Sequence, residues 1–379
     1  MRVVLALGIG ILLVISLVGG EALQEGYIGK REIPGLGTVL IWGRKERPPY
    51  PPFEFLKPQQ TIIVDGHFLL YRGRESQRTM ELRPEDLEQL TYDLEEIPGW
   101  IAVPPPESIH KEIYGLQGVH TIIRLDESGY VGLKPVPGGM RCQISRIWRN
   151  LTQLAEYKQG RRAFRELEAI DIEVRVYDRS AKEHGETLSE YRWQSQSGVR
   201  MKAGTPSGFP LGEESWYLEP RILFFRLNRC AVIVRAPDLW LSEALAWGIE
   251  YRIRQHPKNL LGTAQRPIAL RVANKPVAQG KAVSLAGVTV ALLSAFENAQ
   301  VALETKRTKT EWIMTASRNG RRVKVRAFSW EMETDKGKVK LERPVFPYKG
   351  ELIVPLRQVA EALGISVQQK GQKIALLPK

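Results

Sequence analysis

The chain has few of the residues that bind metals or form compact catalytic motifs. Among 379 residues there are only two cysteines and five histidines. The histidines show neither H-x-H nor H-x-x-x-H spacing and no cysteine lies near one, which excludes the compact zinc-binding motifs. A G-x-S-x-G elbow and a glycine-rich phosphate loop are also absent. We therefore predict no catalytic, cofactor-binding or metal-binding residues and no cofactor.

The N-terminus carries a long apolar run. Arg2 precedes the nearly continuous run Val3–Val18, and the small residues Gly20 and Ala22 favour a cut before Leu23. This pattern predicts a signal peptide over residues 1–22 and export to the cell envelope or the outside. No cysteine follows the run, which excludes a lipoprotein signal. An uncleaved membrane anchor is the alternative, although a span needs about 20 apolar residues.

An exported chain enters a compartment in which disulfides form. The even pair Cys142 and Cys230 is therefore a candidate disulfide that would join two upstream domains. A bridge requires Cα atoms within about 7 Å. Because the two residues lie far apart in sequence, unpaired thiols in the core are the alternative.

The composition is that of a globular protein with an excess of positive charge. Hydrophobic residues make up 43% and charged residues 26% of the chain, and the length allows two to four domains. The formal net charge of +13 favours attraction to anionic cell-wall polymers or membrane surfaces, and we expect no specific nucleic-acid partner. Because Lys and Arg are dispersed along the chain, a charge that serves only solubility is the alternative.

Residues 351–377 show the clearest structural pattern. An apolar run with strand character ends at Val354, and Pro355 suits the first turn of a helix. A helical stripe follows, and Gly364 suits a left-handed helix end. Beyond it, period-two alternation and Lys370-Gly371 predict a hairpin. The stripe consists of Leu356, Val359, Ala360 and Leu363.

This pattern resembles the copper amine oxidase N-terminal-like domain, whose hallmark is a strand, V-P-L-R and a short helix ending in A-L-G. The residues that match are Val354, Pro355, Leu356, Arg357, Ala362, Leu363 and Gly364. The resemblance implies a small antiparallel sheet around a helix that serves as a stalk, and it implies no copper. An amine oxidase centre needs a tyrosine in an Asn-Tyr context, and this chain has no Asn-Tyr.

The stalk is predicted to be duplicated. An offset of 64 residues places Val290 on Val354 and superposes the two apolar stripes, which gives repeats over about 264–315 and 316–379 within a domain over 262–379. The first copy has Ala291 in place of Pro355 and Gln300 in place of Gly364. We expect the stalk to have its own core, so that its removal would leave residues 27–258 folded.

Upstream, the sequence predicts an α+β domain over residues 27–157. Asp65-Gly66 lies between two β-rich runs and predicts a hairpin. A helix is predicted from Pro84 to Pro98, with Leu87, Leu90 and Leu94 buried. A second helical stripe is predicted at Ile144, Ile147, Trp148, Leu151 and Leu154. The order of elements resembles that of uncharacterised secreted bacterial proteins, which implies export and no ligand.

A second small α+β domain is predicted over residues 160–258. Alternating residues over 170–177 predict a half-buried strand, and the segments at 222–225 and 231–234 predict a hairpin before a helix. Three tryptophans fall on or beside apolar helical faces, which favours the core over carbohydrate stacking; they are Trp148, Trp240 and Trp247.

Together these patterns predict a multi-domain α+β fold of several small antiparallel sheets, each packed with one or two helices. They favour a non-catalytic exported envelope protein, not an enzyme, whose stalk attaches to cell-wall polymer or to a protein partner. The alternative is a secreted enzyme or enzyme inhibitor with a cleft between the first two domains.

Overall fold

The computed structural model describes residues 82, 84–103, 141–177, 180–183, 201–262, 268–273, 275–277 and 282–378, together with the backbone of several strands before residue 141. The predicted signal peptide and its cleavage site lie outside these residues. The fold is of the predicted α+β class, with mostly antiparallel sheets and a few helices. No helix in the described ranges has both the length and the apolar character needed to cross a membrane.

One large sheet contains most of the upstream strands. They are β1 (Tyr27–Ile33), β2 (Gly37–Gly43), β3 (Gln60–Val64), β4 (His67–Arg72), β5 (Trp100–Ile101), β6 (Thr121–Asp126), β7 (Gly129–Val131), β8 (Lys134–Val136), β9 (Arg141–Asn150), β10 (Ala169–Tyr177), β11 (Met201–Ala203), β12 (Glu214–Leu218), β13 (Ile222–Leu227) and β14 (Cys230–Arg235). Twelve of them form the sheet in the order β1-β2-β3-β4-β6-β9-β10-β14-β13-β12-β11, with β5 on β9, whereas β7 and β8 pair only with each other.

This sheet continues across the predicted boundary between the two upstream domains. Strand β9 precedes residues 157–160 and β10 follows them, and Ile144 lies opposite Val174 in the antiparallel register. Val174 in turn lies opposite Val232 on β14. The two upstream segments therefore share one sheet and one core.

Several local predictions are confirmed. Val64 pairs with His67, so β3 and β4 form the predicted antiparallel hairpin. Strand β10 alternates between half-buried and buried residues. Strands β13 and β14 form a hairpin in which Asn228 has a positive φ of 48°.

The predicted long helix after Pro84 is wrong. The helix α1 spans only Pro84–Glu88, although Leu87 and Leu90 are buried as expected. Beyond it, backbone carbonyls are taken by side chains from other parts of the chain: the carbonyls of Thr91 and Tyr92 accept from Arg252 (3.1 Å) and Arg146 (2.6 Å). These tertiary bonds replace the helical ones and hold residues 91–96 as a loop.

The second predicted helical stripe is also wrong over most of its length. Residues 141–150 form β9, and only Leu151–Lys158 form a helix, α2. Cys142, Ile144, Arg146 and Trp148 share the buried face with period two. The charged Arg146 within this set hides the alternation in the sequence.

The two cysteines are buried, and they form no disulfide with each other. Cys142 and Cys230 both lie opposite Val176, on the strands either side of β10. Residues two strands apart in a sheet are separated by about 9.6 Å, which is beyond the reach of a disulfide. The candidate bridge is therefore not formed, and burial raises the pKa of the Cys230 thiol to about 12.

Helix α3 (Leu239–Gln255) lies between the large sheet and strands of the C-terminal region. Its residues 242–253 are all buried. One side packs on β13 and β14 of the large sheet, and the other side packs on strands of the C-terminal region. Asp238 caps its start by accepting from the backbone N–H of Leu241 at 2.9 Å.

Within the C-terminal region, residues 262–379, the part over residues 268–378 is hereafter called the module. Its strands are β15 (Ala269–Val272), β16 (Lys275–Pro276), β17 (Ala282–Leu285), β18 (Val288–Leu292), β19 (Ala302–Arg307), β20 (Trp312–Arg318), β21 (Arg321–Arg326), β22 (Glu331–Thr334), β23 (Gly337–Lys340), β24 (Phe346–Tyr348), β25 (Glu351–Pro355), β26 (Ile365–Lys370) and β27 (Lys373–Pro378). They form three sheets, β16-β15-β27-β26, β17-β18-β25-β24 and β19-β20-β21-β22-β23. The helices are a 3-10 helix, Leu293–Ala299, and α4, Leu356–Ala362.

The module contains two repeats of one path. The first is β17, β18, the 3-10 helix, β19 and β20, and the second is β24, β25, α4, β26 and β27. Val290 pairs with Pro355 and Ala291 with Val354. The 64-residue offset equates Val290 with Val354 and Ala291 with Pro355, so the two strands cross where an approximate two-fold axis would pass between the repeats.

Candidate functional site

The family motif builds the core of the module. Val354, Leu356 and Leu363 are fully buried, whereas Arg357 is exposed. Gly364 ends the helix with a φ of 73°, and its counterpart Gln300 adopts the same left-handed conformation with a φ of 60°. The motif therefore specifies the fold of each repeat, and its side chains do not converge on a ligand site.

The sheet β17-β18-β25-β24, hereafter called the wall sheet, is buried on both faces. Leu352 and Val354 face the module's own core. Ile353, between them, faces the core that contains helix α3, as do Val290 and Phe346. Because one core extends from the large sheet through α3 to the wall sheet, the module is not an independent stalk, contrary to the prediction.

A buried ion pair joins three parts of the chain at this junction. Arg252 of α3 contacts Glu96 at 2.6 Å, and the two side chains are 4% and 5% exposed. The same guanidinium donates to the carbonyl of Pro347 in the module at 3.0 Å and lies 4.1 Å from the centre of the Tyr92 ring. Loop 91–96, helix α3 and the module thus share one charged group.

Gly248 allows the loop to approach α3 closely. The hydroxyl of Tyr92 donates to the carbonyl of Leu245 at 2.9 Å. A Cβ atom on Gly248 would lie 1.9 Å from that hydroxyl oxygen. The absence of a side chain at this helical position is therefore required by the packing.

A second buried cation of the junction has no carboxylate within 4 Å among the described residues. Arg343 is fully buried and donates to the carbonyls of Leu285 (3.3 Å) and Ala286 (2.9 Å). Its guanidinium lies between the rings of Phe209 and Trp247, at 4.2 Å and 4.4 Å from their centres. Burial lowers the pKa of this guanidinium. These contacts fix the module against both α3 and the loop 204–212.

Two carboxylates of α3 hold the loop 204–212. Glu243 accepts from the backbone and hydroxyl of Ser207 and from the indole N–H of Trp247 (3.2 Å). Glu250 accepts from the backbone of Gly212 at 3.0 Å and pairs with Arg254. Burial raises the pKa of the Glu243 carboxyl, although its hydrogen bonds favour the ionised form.

A small cleft of about 240 Å³ opens at the junction. It lies between residues 88–96, the end of α3 and the module, and several of its polar groups are already engaged, although the buried hydroxyl of Thr91 has no hydrogen-bond partner among the described residues. Glu96 pairs with Arg252, Glu88 pairs with Arg146 at 3.2 Å, and the His256 ring contacts the carbonyl of Asp86 at 2.9 Å. No group of three His, Cys, Asp or Glu side chains in the described parts of the chain could hold a metal ion.

The outer face of the five-stranded sheet β19–β23 is charged but largely self-paired. It lines a shallow groove of about 520 Å³. Lys324 contacts Glu333 at 3.0 Å, Lys306 contacts Glu311 at 3.1 Å, and Lys338 contacts Glu331 at 3.5 Å. Basic and acidic groups alternate across the strands, so this face has little charge left for an ionic partner.

The sheet β16-β15-β27-β26, hereafter called the basic sheet, differs from that face. Its four strands contain no acidic residue. Lys370 lies directly opposite Lys373, and Arg271, on the same outward face, is also exposed. Like charges in direct opposition destabilise a hairpin slightly, so this arrangement has a cost that an anionic ligand would remove.

Charge is distributed unequally along the chain. Residues 262–379 contain 21 of the 55 Lys and Arg residues but only nine of the 42 Asp and Glu residues, a net charge of +12 out of +13. The upstream 261 residues are nearly neutral. The excess positive charge therefore belongs to the C-terminal region.

Comparison with known proteins identifies this same region. Residues 287–376 match the family model described as the copper amine oxidase N-terminal domain. This single match covers most of both repeats, so the repeats are the two halves of one domain. No curated protein and no solved structure matches the chain. The resemblance of the upstream part to secreted bacterial proteins stays a prediction.

The sequence predictions missed the buried ions of the junction. Glu96, Arg252 and Arg343 are separated by up to 247 positions, and no local spacing connects them. One signal was present: the run Leu352–Val354 is continuously apolar, as in strands that are buried on both faces.

Proposed function

We propose that this protein is a non-catalytic, exported attachment protein whose C-terminal module binds an anionic polymer of the cell envelope. The observation that carries the proposal is the charge distribution, because the C-terminal region holds +12 of the net charge of +13. Long-range attraction of this kind concentrates a basic protein on acidic surfaces. The upstream sheet, joined to the module through α3, would be held at that surface in a fixed orientation.

The basic sheet is the part of the module best suited to contact the polymer. Arg271, Lys370 and Lys373 are exposed on one face and have no ionic partner among the described residues. The five-stranded sheet would contribute less, since Lys306, Lys324 and Lys338 are paired with carboxylates. A binding site therefore needs no groove, only a repulsive row of cations that a polyanion can bridge.

Retention on purified cell wall that carries teichoic acid tests this proposal. The triple variant Arg271→Gln, Lys370→Gln, Lys373→Gln should bind about 100-fold more weakly, since a basic residue near an anionic surface contributes about 1 kcal/mol. Retention of the wild type should also fall steeply with salt, because the screening length is about 10 Å at 0.1 M.

The matched control removes the same charge elsewhere in the module. Lys309, Lys336 and Lys349 are exposed and lie outside the basic sheet. Their triple replacement by Gln should weaken binding much less. Equal losses in the two triple variants would show that net charge alone drives retention, and retention that neither variant nor salt alters would refute the proposal.

A further inference from the structure

An exposed aromatic pair lies where the start of helix α3 meets the module. Trp240 is 46% exposed, and Val339 is the other large apolar side chain of the described residues that is exposed. The Trp240 ring meets the Trp330 ring edge to face at 5.6 Å, and the indole N–H of Trp330 donates to the carbonyl of Trp240 at 3.3 Å. This exposure corrects the prediction that Trp240 belongs to the core.

A lysine completes this group. The ammonium of Lys340, at the end of the edge strand β23, lies 6.0 Å from the centre of the Trp240 ring. Unlike Lys338 on the same strand, which contacts Glu331, Lys340 forms no ion pair among the described residues. The ammonium is therefore available to an anion beside the indole.

From this arrangement we infer that Trp240, Trp330 and Lys340 form a subsite for one sugar ring of an acidic polysaccharide, here called the tryptophan subsite. An exposed indole supplies a flat apolar surface on which the C–H face of a pyranose can stack. Lys340 would take the carboxylate or phosphate of that sugar. The exposed area is far smaller than the about 1,000 Å² that a stable protein partner requires.

Both sides of the junction contribute to the tryptophan subsite. Trp240 belongs to α3, whereas Trp330 and Lys340 belong to the module. The subsite therefore exists only while the wall sheet is packed on α3. The inference rests on the proposed function, since it names the chemical class of the anionic polymer.

Two probes separate the subsite from the general charge of the module. One is polygalacturonate, an acidic polysaccharide, and the other is polyphosphate, a polyanion without sugar. Trp240→Ala should bind polygalacturonate about three- to tenfold more weakly and bind polyphosphate as the wild type does. Trp240→Phe should retain part of the lost affinity, because a smaller ring still stacks.

The outcomes distinguish this inference from the proposed function. If the basic-sheet triple variant binds both probes weakly while Trp240→Ala binds both normally, the tryptophan subsite is refuted and the proposed function stands. If the triple variant binds both probes normally, the proposed function fails. Equal losses of Trp240→Ala on both probes, or a change of its sedimentation coefficient that shows a second copy to be the occupant, would also overturn the subsite.

Discussion

The two faces of the wall sheet pack against cores of different character. The face toward α4 and the 3-10 helix meets an apolar cluster, and the buried Arg318 beside it donates to the carbonyls of Ala299 and Gly364 at the helix ends. The face toward α3 meets a core that also contains the buried charges of Glu96, Arg252, Glu243, Glu250 and Arg343. Apolar packing dominates inside the repeats, whereas we expect the buried charges at the junction to specify how the module docks, because each charge needs particular partners.

The largest expected effect comes from removing one side of the junction altogether. Deletion of residues 262–379 exposes the side of α3 that contacts the wall sheet, including Tyr251, which packs on Phe346 at 5.5 Å. We expect the remaining chain to lose cooperative unfolding and to bind a hydrophobic dye. Calorimetry of the truncated chain tests this, and a sharp transition would restore the prediction of an independent stalk.

Breaking the ion pair should have the next largest effect. Arg252→Ala leaves Glu96 buried without its partner, so the free energy of unfolding should fall by about 3–5 kcal/mol. The double replacement of both residues by Met should cost much less than the single one. Lys202→Ala is the control, since its pair with Glu219 is exposed and its loss should leave the urea midpoint unchanged.

Gly248 provides a steric test of the packing between α3 and loop 91–96. Gly248→Ala places a methyl group against the Tyr92 hydroxyl and should lower the free energy of unfolding by about 2–3 kcal/mol, as overpacking does. Tyr92→Phe removes the hydroxyl and should recover part of this loss in the double variant. Urea denaturation of the wild type, the two single variants and the double variant measures the coupling energy between the two positions. Additive effects would contradict the close contact between Gly248 and the Tyr92 hydroxyl.

A smaller effect is expected at the ends of α4 and the 3-10 helix, which pack on the other face of the wall sheet. Gly364→Ala puts a Cβ on a residue with φ of 73° and near the flexible end of Arg321, which should cost about 1–2 kcal/mol. Gln300→Gly at the equivalent position should raise the free energy of unfolding by a few tenths of a kcal/mol. Glycine relieves the strain of the left-handed conformation, but part of this gain is lost because glycine also gives the unfolded chain more conformational freedom. Thermal unfolding compares the two, and shifts of equal sign would refute the equivalence of the repeats.

The smallest effect is a pH dependence from Glu243. Because burial raises the pKa of this carboxyl in the folded state, the unfolded chain releases the proton first, and stability falls as the pH rises from the ordinary Glu pKa through the folded pKa. Glu243→Gln should remove this slope, which is at most about 1.4 kcal/mol per pH unit. Urea midpoints across about pH 4 to 8 test it, and parallel curves for variant and wild type would contradict it.

Local patterns predicted the parts of the fold that local chemistry determines. Periodicity and punctuating residues predict the hairpin of β3 and β4, the strand β10, the helix α3 and the sequence of elements from Val354 to Leu376. They do not predict the loop 91–96, because its carbonyls are bound by arginines 54 and 161 positions away.

Only some of the candidate binding groups could be predicted from the sequence. The net charge can be counted in the sequence. Its concentration in the C-terminal region gains meaning only when the structure shows that this region forms sheets of its own. Trp240 and Trp247 have similar sequence surroundings, yet one is exposed and the other is fully buried. Burial here depends on where the module docks, and no periodicity encodes that.

The wall sheet also limits how this domain could be exchanged between proteins during evolution. A domain with a single closed core can be moved as a cassette, because its surface makes no demands on the new host. This domain has apolar residues at Val290, Phe346 and Ile353 that face a helix outside its own boundaries. Any host that acquires it must supply a matching helix or replace those residues.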